Sequence, residues 1–239
     1  MSESAGTLLV VDDDSAIRYA LVTTLSALEF SVAEACCGEE AVAKVRKQQF
    51  DAVLLDISMP GIGGVEACRQ IRNLSRSIPI LMLTILDSQN DIVEAFNAGA
   101  DDYVKKPFEI RELTARLRRA VARNRSIEPL SSVLSLGEIE LDPSRRTVKR
   151  NGQPVHLTPK EFDLLHHLME NAGAPVTHAK LLRAIWGPEY GDELEYLRVF
   201  VRQLRLKIEL DPARPSYLLT EPYVGYRFCE PCNDGSIGG

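Results

Sequence analysis

The sequence predicts an α/β fold with a doubly wound parallel sheet in its first half, followed by a smaller domain of short antiparallel strands and three helices. Three observations predict it. Leu8-Leu9-Val10-Val11, Ala52-Val53-Leu54-Leu55 and Ile80-Leu81-Met82-Leu83 are short, continuous apolar runs, the pattern of strands covered by helices on both faces. Helical patterns separate and follow them. After Ser15, a candidate N-cap, Ile17, Leu21, Leu25 and Leu28 recur at steps of three and four, and after Pro107, Leu113, Leu117 and Val121 recur at every fourth position. Strands alternating with helices build a parallel sheet. Finally, Asp12 with Asp13, Asp56, Thr84 and Lys106 each follow or end a short apolar run.

In such sheets ligands sit outside the carboxyl ends of the strands, so these acidic, hydroxyl and ammonium groups are expected to converge in one cleft. A single Asp at a strand end is more often a loop or helix-cap residue. The ordered set points instead to chemistry. Carboxylates crowded together repel one another, and an oxygen-rich cluster suits a hard divalent ion such as Mg2+. The metal would leave Asp56 ionised and neutralise an incoming phosphoryl group. The Thr84 hydroxyl could bond one phosphoryl oxygen and Lys106 pair with another. Phosphoryl transfer to Asp56 is the reaction implied.

Val10-Val11-Asp12-Asp13-Asp14, Leu55-Asp56-Ile57-Ser58-Met59-Pro60-Gly61, Leu83-Thr84 and Lys105-Lys106-Pro107-Phe108 resemble the receiver motifs of bacterial two-component response regulators, over residues 7 to about 123. The resemblance implies a five-stranded, CheY-like receiver whose Asp56 accepts phosphate from a sensor histidine kinase. It implies that Asp13, Asp56 and the Ser58 carbonyl hold magnesium, with Asp12 assisting through water, and that Thr84 and Tyr103 form the switch pair. The lysine carried over is Lys106, directly before a proline that in this family usually follows a cis peptide. The residue after the switch hydroxyl is usually small in the family and here is Ile85. Its bulk either restricts access to Asp56 or packs under the next helix.

The chain has 239 residues, 45% of them hydrophobic, which fits two packed cores. The domains read as a receiver over 1–123, a flexible linker over 124–136, an effector domain over 137–230 and a disordered tail over 231–239. The linker shows where the helical pattern gives way to Ser126, Pro129, Ser131, Ser132 and Ser135, and it spans about 20 Å root-mean-square if flexible. No apolar stretch resembles a signal peptide or approaches the ~18 residues that span a bilayer, so a cytoplasmic protein without membrane attachment is expected. Five cysteines argue against a disulfide framework. Cys229-Glu230-Pro231-Cys232 lacks the second ligand pair of a zinc site, and neither it nor Cys36-Cys37 is expected to serve metal or redox chemistry. His166-His167 within a helical pattern are expected to be one buried and one exposed ring.

The second domain opens with strands at Leu136 to Leu141, Thr147 to Arg150 and Val155 to Leu157, separated by Asp142-Pro143 and Asn151-Gly152-Gln153-Pro154. Thr158-Pro159-Lys160-Glu161 then reads as N-cap, first-turn proline and capping-box Glu of a helix to about Asn171. Thr177 caps a shorter helix ending near Trp186-Gly187, and a third runs from about Glu193 to Glu209. Tyr217 to Thr220 and Tyr226 to Phe228 close the domain as a hairpin. From residue 126 onward 13 Lys plus Arg oppose 16 Asp plus Glu, a net charge of −3 that gives no hint of nucleic acid. Residues 196–207, however, carry four basic and no acidic side chains. Leu197, Val201, Leu204 and Ile208 form an apolar stripe on this helix, and Arg198, Arg202, Arg205 and Lys207 lie largely elsewhere.

Strands, three helices with the basic one third, and a hairpin containing Gly225-Tyr226-Arg227-Phe228 resemble the winged helix-turn-helix effector domain of the OmpR/PhoB family over residues 134 to 230. The resemblance puts the third helix in the major groove of double-stranded promoter DNA, with Arg198, Arg202, Arg205 and Gln203 as contacts beside Lys207, and the hairpin with Tyr226 and Arg227 as the wing. The wing tip is Pro222-Tyr223-Val224, without a basic residue. Tyr196-Leu197-Arg198, Leu204-Arg205, Leu210-Asp211-Pro212-Ala213-Arg214-Pro215 and Thr220-Glu221 most resemble the regulators of the potassium-transport operon. The loop from Trp186 to Glu193 is the expected contact with RNA polymerase. Phosphorylation is expected to favour a two-fold homodimer through Asp101, Asp102, Glu112 and Arg116, with Ile92 where a basic partner of Glu112 is usual, and the dimer to bind direct repeats. A regulator rather than an enzyme is implied. Aspartate-nucleophile phosphohydrolases usually show Asp-x-Asp, whereas Ser58 stands second after Asp56. A phosphate-independent DNA-binding regulator of the same family is the other alternative.

Overall fold

The computed structural model of the protein describes residues 5–85, 89–125 and 132–231. The chain divides into two compact units, Met1–Ser126 and Ile127–Gly239. In the first, β1 (Gly6–Val11), β2 (Phe30–Ala35), β3 (Ala52–Asp56), β4 (Ile80–Thr84) and β5 (Asp102–Lys105) alternate with α1 (Ser15–Ala27), α2 (Gly38–Lys47), α3 (Gly63–Leu74), α4 (Gln89–Asn97) and α5 (Ile110–Arg125). The strands form one parallel sheet in the order β2-β1-β3-β4-β5.

The three apolar runs are the three central strands. Every residue of β3 and β4 is buried, because helices cover both faces and neither face needs a polar alternation. Leu8, Val10, Leu54, Leu81 and Leu83 point to the side where α1 supplies Leu21 and Leu25 and α5 supplies Leu113, Leu117 and Val121. By the two-residue period the alternate set, including Leu9, Val53 and Met82, faces the other side. There α2 and α3 bury Ala41, Val42, Ala67, Cys68 and Ile71. β2 lacks an apolar run because it is an edge strand: only Phe30 and Ala35, at its two ends, are buried. The cap of α1 is Asp14 rather than Ser15. The Asp14 backbone is extended and its carboxylate accepts from Ala16 N at 2.8 Å and Ile17 N at 3.3 Å, leaving Ser15 as the first helical residue.

In the second unit β6 (Leu134–Leu136), β7 (Ile139–Asp142), β8 (Thr147–Arg150) and β9 (Gln153–Val155) form an antiparallel sheet. They are followed by α6 (Pro159–Glu170), β10 (Val176–Thr177), α7 (His178–Ile185), α8 (Leu194–Ile208), β11 (Leu218–Glu221) and β12 (Gly225–Phe228). The capping box at Thr158 and Glu161 is present, with Pro159 opening α6. The single strand expected at Leu136 to Leu141 is two strands, because the chain reverses at Gly137, which takes φ 56°. The one expected at Val155 to Leu157 lies earlier and includes Pro154, tolerated on the sheet edge where no ladder N–H is needed. β10 has two residues, too few for a pattern, and forms a three-stranded sheet with the terminal hairpin in the order β10-β12-β11. His166 and His167 are both half-buried rather than divided between inside and outside, since neighbouring positions on a helix are only about 100° apart.

Of the expected linker, the two ends are regular structure: α5 continues to Arg125 and β6 begins at Leu134. Its residues 126–131, and 232–239 of the expected tail, including Cys232, lie outside the described residues. No helix among the described residues is long and apolar enough to cross a membrane.

Candidate functional site

The strand ends bring the polar set together as the sheet topology requires. Asp12 follows β1, Asp56 ends β3, Thr84 ends β4 and Lys106 follows β5; Asp12, Asp56 and Thr84 are all buried. Lys106 Nζ donates to Asp12 Oδ2 at 2.7 Å and to Asp56 Oδ1 at 2.5 Å. Lys106 N donates to Thr84 O at 2.6 Å, and the Lys106–Pro107 peptide is cis. Burial pushes the Asp56 carboxyl above its ordinary range, and the Lys106 ammonium opposes that push. Burial works against the Lys106 ammonium as well, but hydrogen bonds to Asp12 and Asp56 outweigh it and raise its pKa.

Backbone packing holds the acceptor in place. Ile57 N donates to Leu83 O at 3.0 Å and Gly64 N donates to Ile57 O at 3.1 Å, folding the loop after Asp56 back on itself. A Cβ on Gly64 would stand 2.0 Å from the Asp56 carbonyl oxygen, so only glycine lets the loop close. Glu39 on α2 accepts from Ile62 N at 3.0 Å, and Arg18 on α1 donates to Asp12 O at 2.7 Å while pairing with Glu34. Sequence reasoning missed Arg18, Glu39 and Gly64. The only signal was the glycine-rich stretch Gly61 to Gly64; nothing local marks a remote Arg or Glu as a loop anchor.

Asp13 and Ser58 are exposed at the rim. Three carboxylates against one ammonium leave two negative charges, and every donor in the set is oxygen, so Asp12, Asp13, Asp56 and the Ser58 carbonyl fit a hard divalent ion. Tyr103 is half-buried with its ring edge-on to Phe96 at 6.2 Å. Ile85 is 63% exposed, so it does not pack under the following helix; the strand ends as it passes Thr84 and its side chain is left in solvent.

The residues expected at a dimer surface separate. Asp101 is turned into the unit, 2% exposed, accepting from Arg72 Nη2 at 2.7 Å and Ile80 N at 2.9 Å. This corrects its assignment to the surface. The buried Arg72 guanidinium, which also donates to Gly99 O and Ile78 O, needs a buried counter-charge, and Asp101 supplies it. Asp102, itself buried at 6% exposed, and the exposed Glu112 both accept from Arg116, at 3.2 Å and 2.6 Å, and Ile92 is half-buried on α4.

α8 divides its basic groups just as sharply. Arg198 and Arg202 are exposed, Arg198 bonded to Glu195 one turn earlier. Arg205 donates to Leu218 O at 2.7 Å and Thr220 Oγ1 at 2.9 Å, tying α8 to the hairpin. Lys207, half a turn round from Arg198 at about 100° per residue, pairs with the buried capping-box Glu161 at 2.5 Å. Gln203 is half-buried. In the hairpin Tyr226 is buried, edge-on to His178 at 5.5 Å, and Arg227 pairs with Glu221 at 2.6 Å. The tip residue Tyr223 is fully exposed at φ 65°. In the loop expected to meet RNA polymerase, Trp186 and Tyr190 are buried, leaving Pro188, Glu189 and Asp192 outward.

Comparison with known proteins agrees with both halves. Residues 8–118 match the response regulator receiver domain, and residues 152–228 match the C-terminal domain of transcriptional regulatory proteins. The chain is 38% identical over 221 residues to the KDP operon transcriptional regulatory protein KdpE of Escherichia coli, covering 92% of this chain and 98% of that protein. It is also 38% identical over 223 residues to the sensory transduction protein RegX3 of Mycolicibacterium smegmatis, covering 92% and 97%. Among solved structures, the response regulator DrrB of Thermotoga maritima, an OmpR/PhoB homologue, is 34% identical, with a TM-score of 0.50 over 93% of this chain and 98% of that one.

Proposed function

The chain belongs to the OmpR/PhoB family of two-component response regulators, DNA-binding transcription factors with an N-terminal receiver, and from that premise we propose that Asp56 is its phosphoacceptor, charged by a sensor histidine kinase. The observation that carries this reading is Lys106 bonded at once to Asp12 and Asp56 in a buried cleft at the strand ends. Asp56 attacks the phosphorus of the donor phosphohistidine, the P–N bond breaks, and an acyl phosphate forms on the carboxylate. Lys106 is then released from Asp56 Oδ1 to pair with a phosphoryl oxygen, while the Thr84 hydroxyl at the end of β4 is placed to bond another. Asp13, Asp56 and the Ser58 carbonyl would hold magnesium, with Asp12 assisting through water, and the ion when bound would neutralise phosphoryl charge.

Movement of Thr84 toward the phosphoryl group frees space that Tyr103 takes up. This biases the α4-β5-α5 face toward a homodimer built on Ile92, Asp102, Glu112 and Arg116. Arg198 and Arg202, with Gln203, supply contacts of α8 in the major groove. Arg205, Lys207 and Arg227, through bonds already made within the unit, and Tyr226, through its buried ring against His178, support that helix and the wing. The dimer binds direct repeats in a promoter of the potassium-transport type and meets RNA polymerase through the loop from Trp186 to Glu193. Similarity to KdpE supports the operon, and similarity to RegX3 at the same identity makes a second target class the alternative outcome.

The test is the intact mass of the native chain, Asp56→Asn and Ile85→Ala after incubation with magnesium and a small phosphodonor. One phosphoryl adduct on the native chain, absent from Asp56→Asn, is expected. An adduct only on Ile85→Ala would show that the exposed Ile85 gates a competent site. No adduct on either would favour regulation independent of phosphate.

A further inference from the structure

Beside the acidic cleft, at the edge of the sheet, lies a second cluster that the phosphorylation chemistry does not use. β2 ends at Ala35 and α2 begins at Gly38, so Cys36 and Cys37 form the whole connection. Their thiols and the Glu40 carboxylate place one ligand atom each within 4.8 Å of one another. Glu40 is not there by chance of rotamer. Its Oε2 accepts from Cys36 N at 2.8 Å, and its Oε1 pairs with Lys44 Nζ at 3.0 Å, fixing the carboxylate beside the thiols. Cys37 stands at the N-cap of α2 and its side chain makes no bond to the backbone of the helix. Cys36 is exposed and Cys37 half-buried, which leaves an open approach.

We propose that Cys36, Cys37 and Glu40 form a binding site for a zinc-type divalent ion, with a solvent molecule as fourth ligand. Zinc–thiolate bonds of about 2.3 Å and zinc–carboxylate bonds of about 2.1 Å put tetrahedral ligand atoms roughly 3.6 Å apart. The observed cluster, within 4.8 Å, therefore needs to contract by about 1.2 Å at most, within side-chain freedom at an exposed turn. Two soft sulfurs select such an ion over magnesium, whose hard oxygen sites lie in the neighbouring cleft. The site also touches the phosphorylation machinery from outside. Ala35 O accepts from Asp12 N at 3.3 Å, and Glu39, between Cys37 and Glu40 in the first turn of α2, holds Ile62 in the loop after Asp56.

The experiment uses the full chain, kept reduced by a phosphine, in excess magnesium, titrated with cobalt(II) and then zinc. Its readout is thiolate-to-cobalt charge-transfer absorption, which oxygen ligands in the acidic cleft cannot produce, and native mass gives the stoichiometry. Cys229→Ser with Cys232→Ser is the working background, since that pair is the other source of thiolate; buried Cys68, its thiol pushed up to about 12, is not a competitor. One ion per chain is expected in this background, with the band bleached by zinc. Adding Cys36→Ser and Cys37→Ser should remove it, while Glu40→Gln should keep a thiolate band at roughly tenfold weaker affinity. No band in the working background, or one that survives loss of Cys36 and Cys37, overturns the site. Unchanged affinity in Glu40→Gln removes the carboxylate from the ligand set. Thermal melts of each variant confirm that the fold persists.

Discussion

The receiver cleft and helix α8 each gather charged side chains, which the proposed function directs at phosphate, but they do so by opposite means. In the receiver the groups come from the ends of different strands, and the sheet order alone brings Asp12, Asp56, Thr84 and Lys106 together. In the effector unit they come from one continuous helix, and packing sends neighbours in sequence to different tasks. Arg198 and Arg202 face solvent, whereas Arg205 and Lys207 are bonded within the unit. Convergence by topology gathers groups from distant segments; a helix distributes its side chains by angle, so some basic residues are bonded within the unit and others face solvent, where the proposed function has them read DNA.

The largest expected effects break the two units independently. Gly64→Ala places a Cβ 2.0 Å from Asp56 O, and Gly225→Ala places one 1.9 Å from Val176 O where β12 meets β10. Each should cost about 3 kcal/mol or more. Calorimetry should show only the receiver transition moving for the first and only the effector transition for the second; a shared shift would mean the units unfold as one.

Next in size, Lys207→Met removes the partner of the buried Glu161 carboxylate and should destabilise the effector unit by about 1–2 kcal/mol, discounted because the ammonium is partly exposed. Its DNA affinity, measured on folded protein, should stay near native. Arg205→Ala should lose a similar amount through its bonds to Leu218 O and Thr220. Arg202→Ala should do the reverse: stability within about 0.5 kcal/mol of native, and DNA binding weakened with the salt slope reduced by roughly one if it meets a phosphate. If Lys207→Met and Arg202→Ala weaken DNA binding equally, the division of α8 by angle is wrong.

The smallest effect separates the units by pH. Burial holds the His167 imidazole below its ordinary 6.5, and its Nε2 is buried without a partner. The unfolded chain therefore takes up this proton more readily, so effector stability should fall as pH drops from about 6.5 through the lowered folded value and level off below it. His167→Leu should flatten that part of the melting curve for the effector transition and leave the receiver transition unmoved.

The sequence by itself determined the parallel sheet, the order of its polar strand ends and the capping box at Thr158 to Glu161. Each is written in a local pattern: apolar runs that need no polar face, residues adjoining those runs, and a spacing that closes two helix-terminal hydrogen bonds. It did not reveal β2, whose half-exposed edge position removes the apolar run, or β10, too short to carry any period. Tertiary structure alone decided that Asp101 lies inside against Arg72 and that Arg205 and Lys207 are bonded within the effector unit. Those outcomes depend on which remote partner a charge meets, and a partner 13, 29 or 46 positions away leaves no trace in the residues around it.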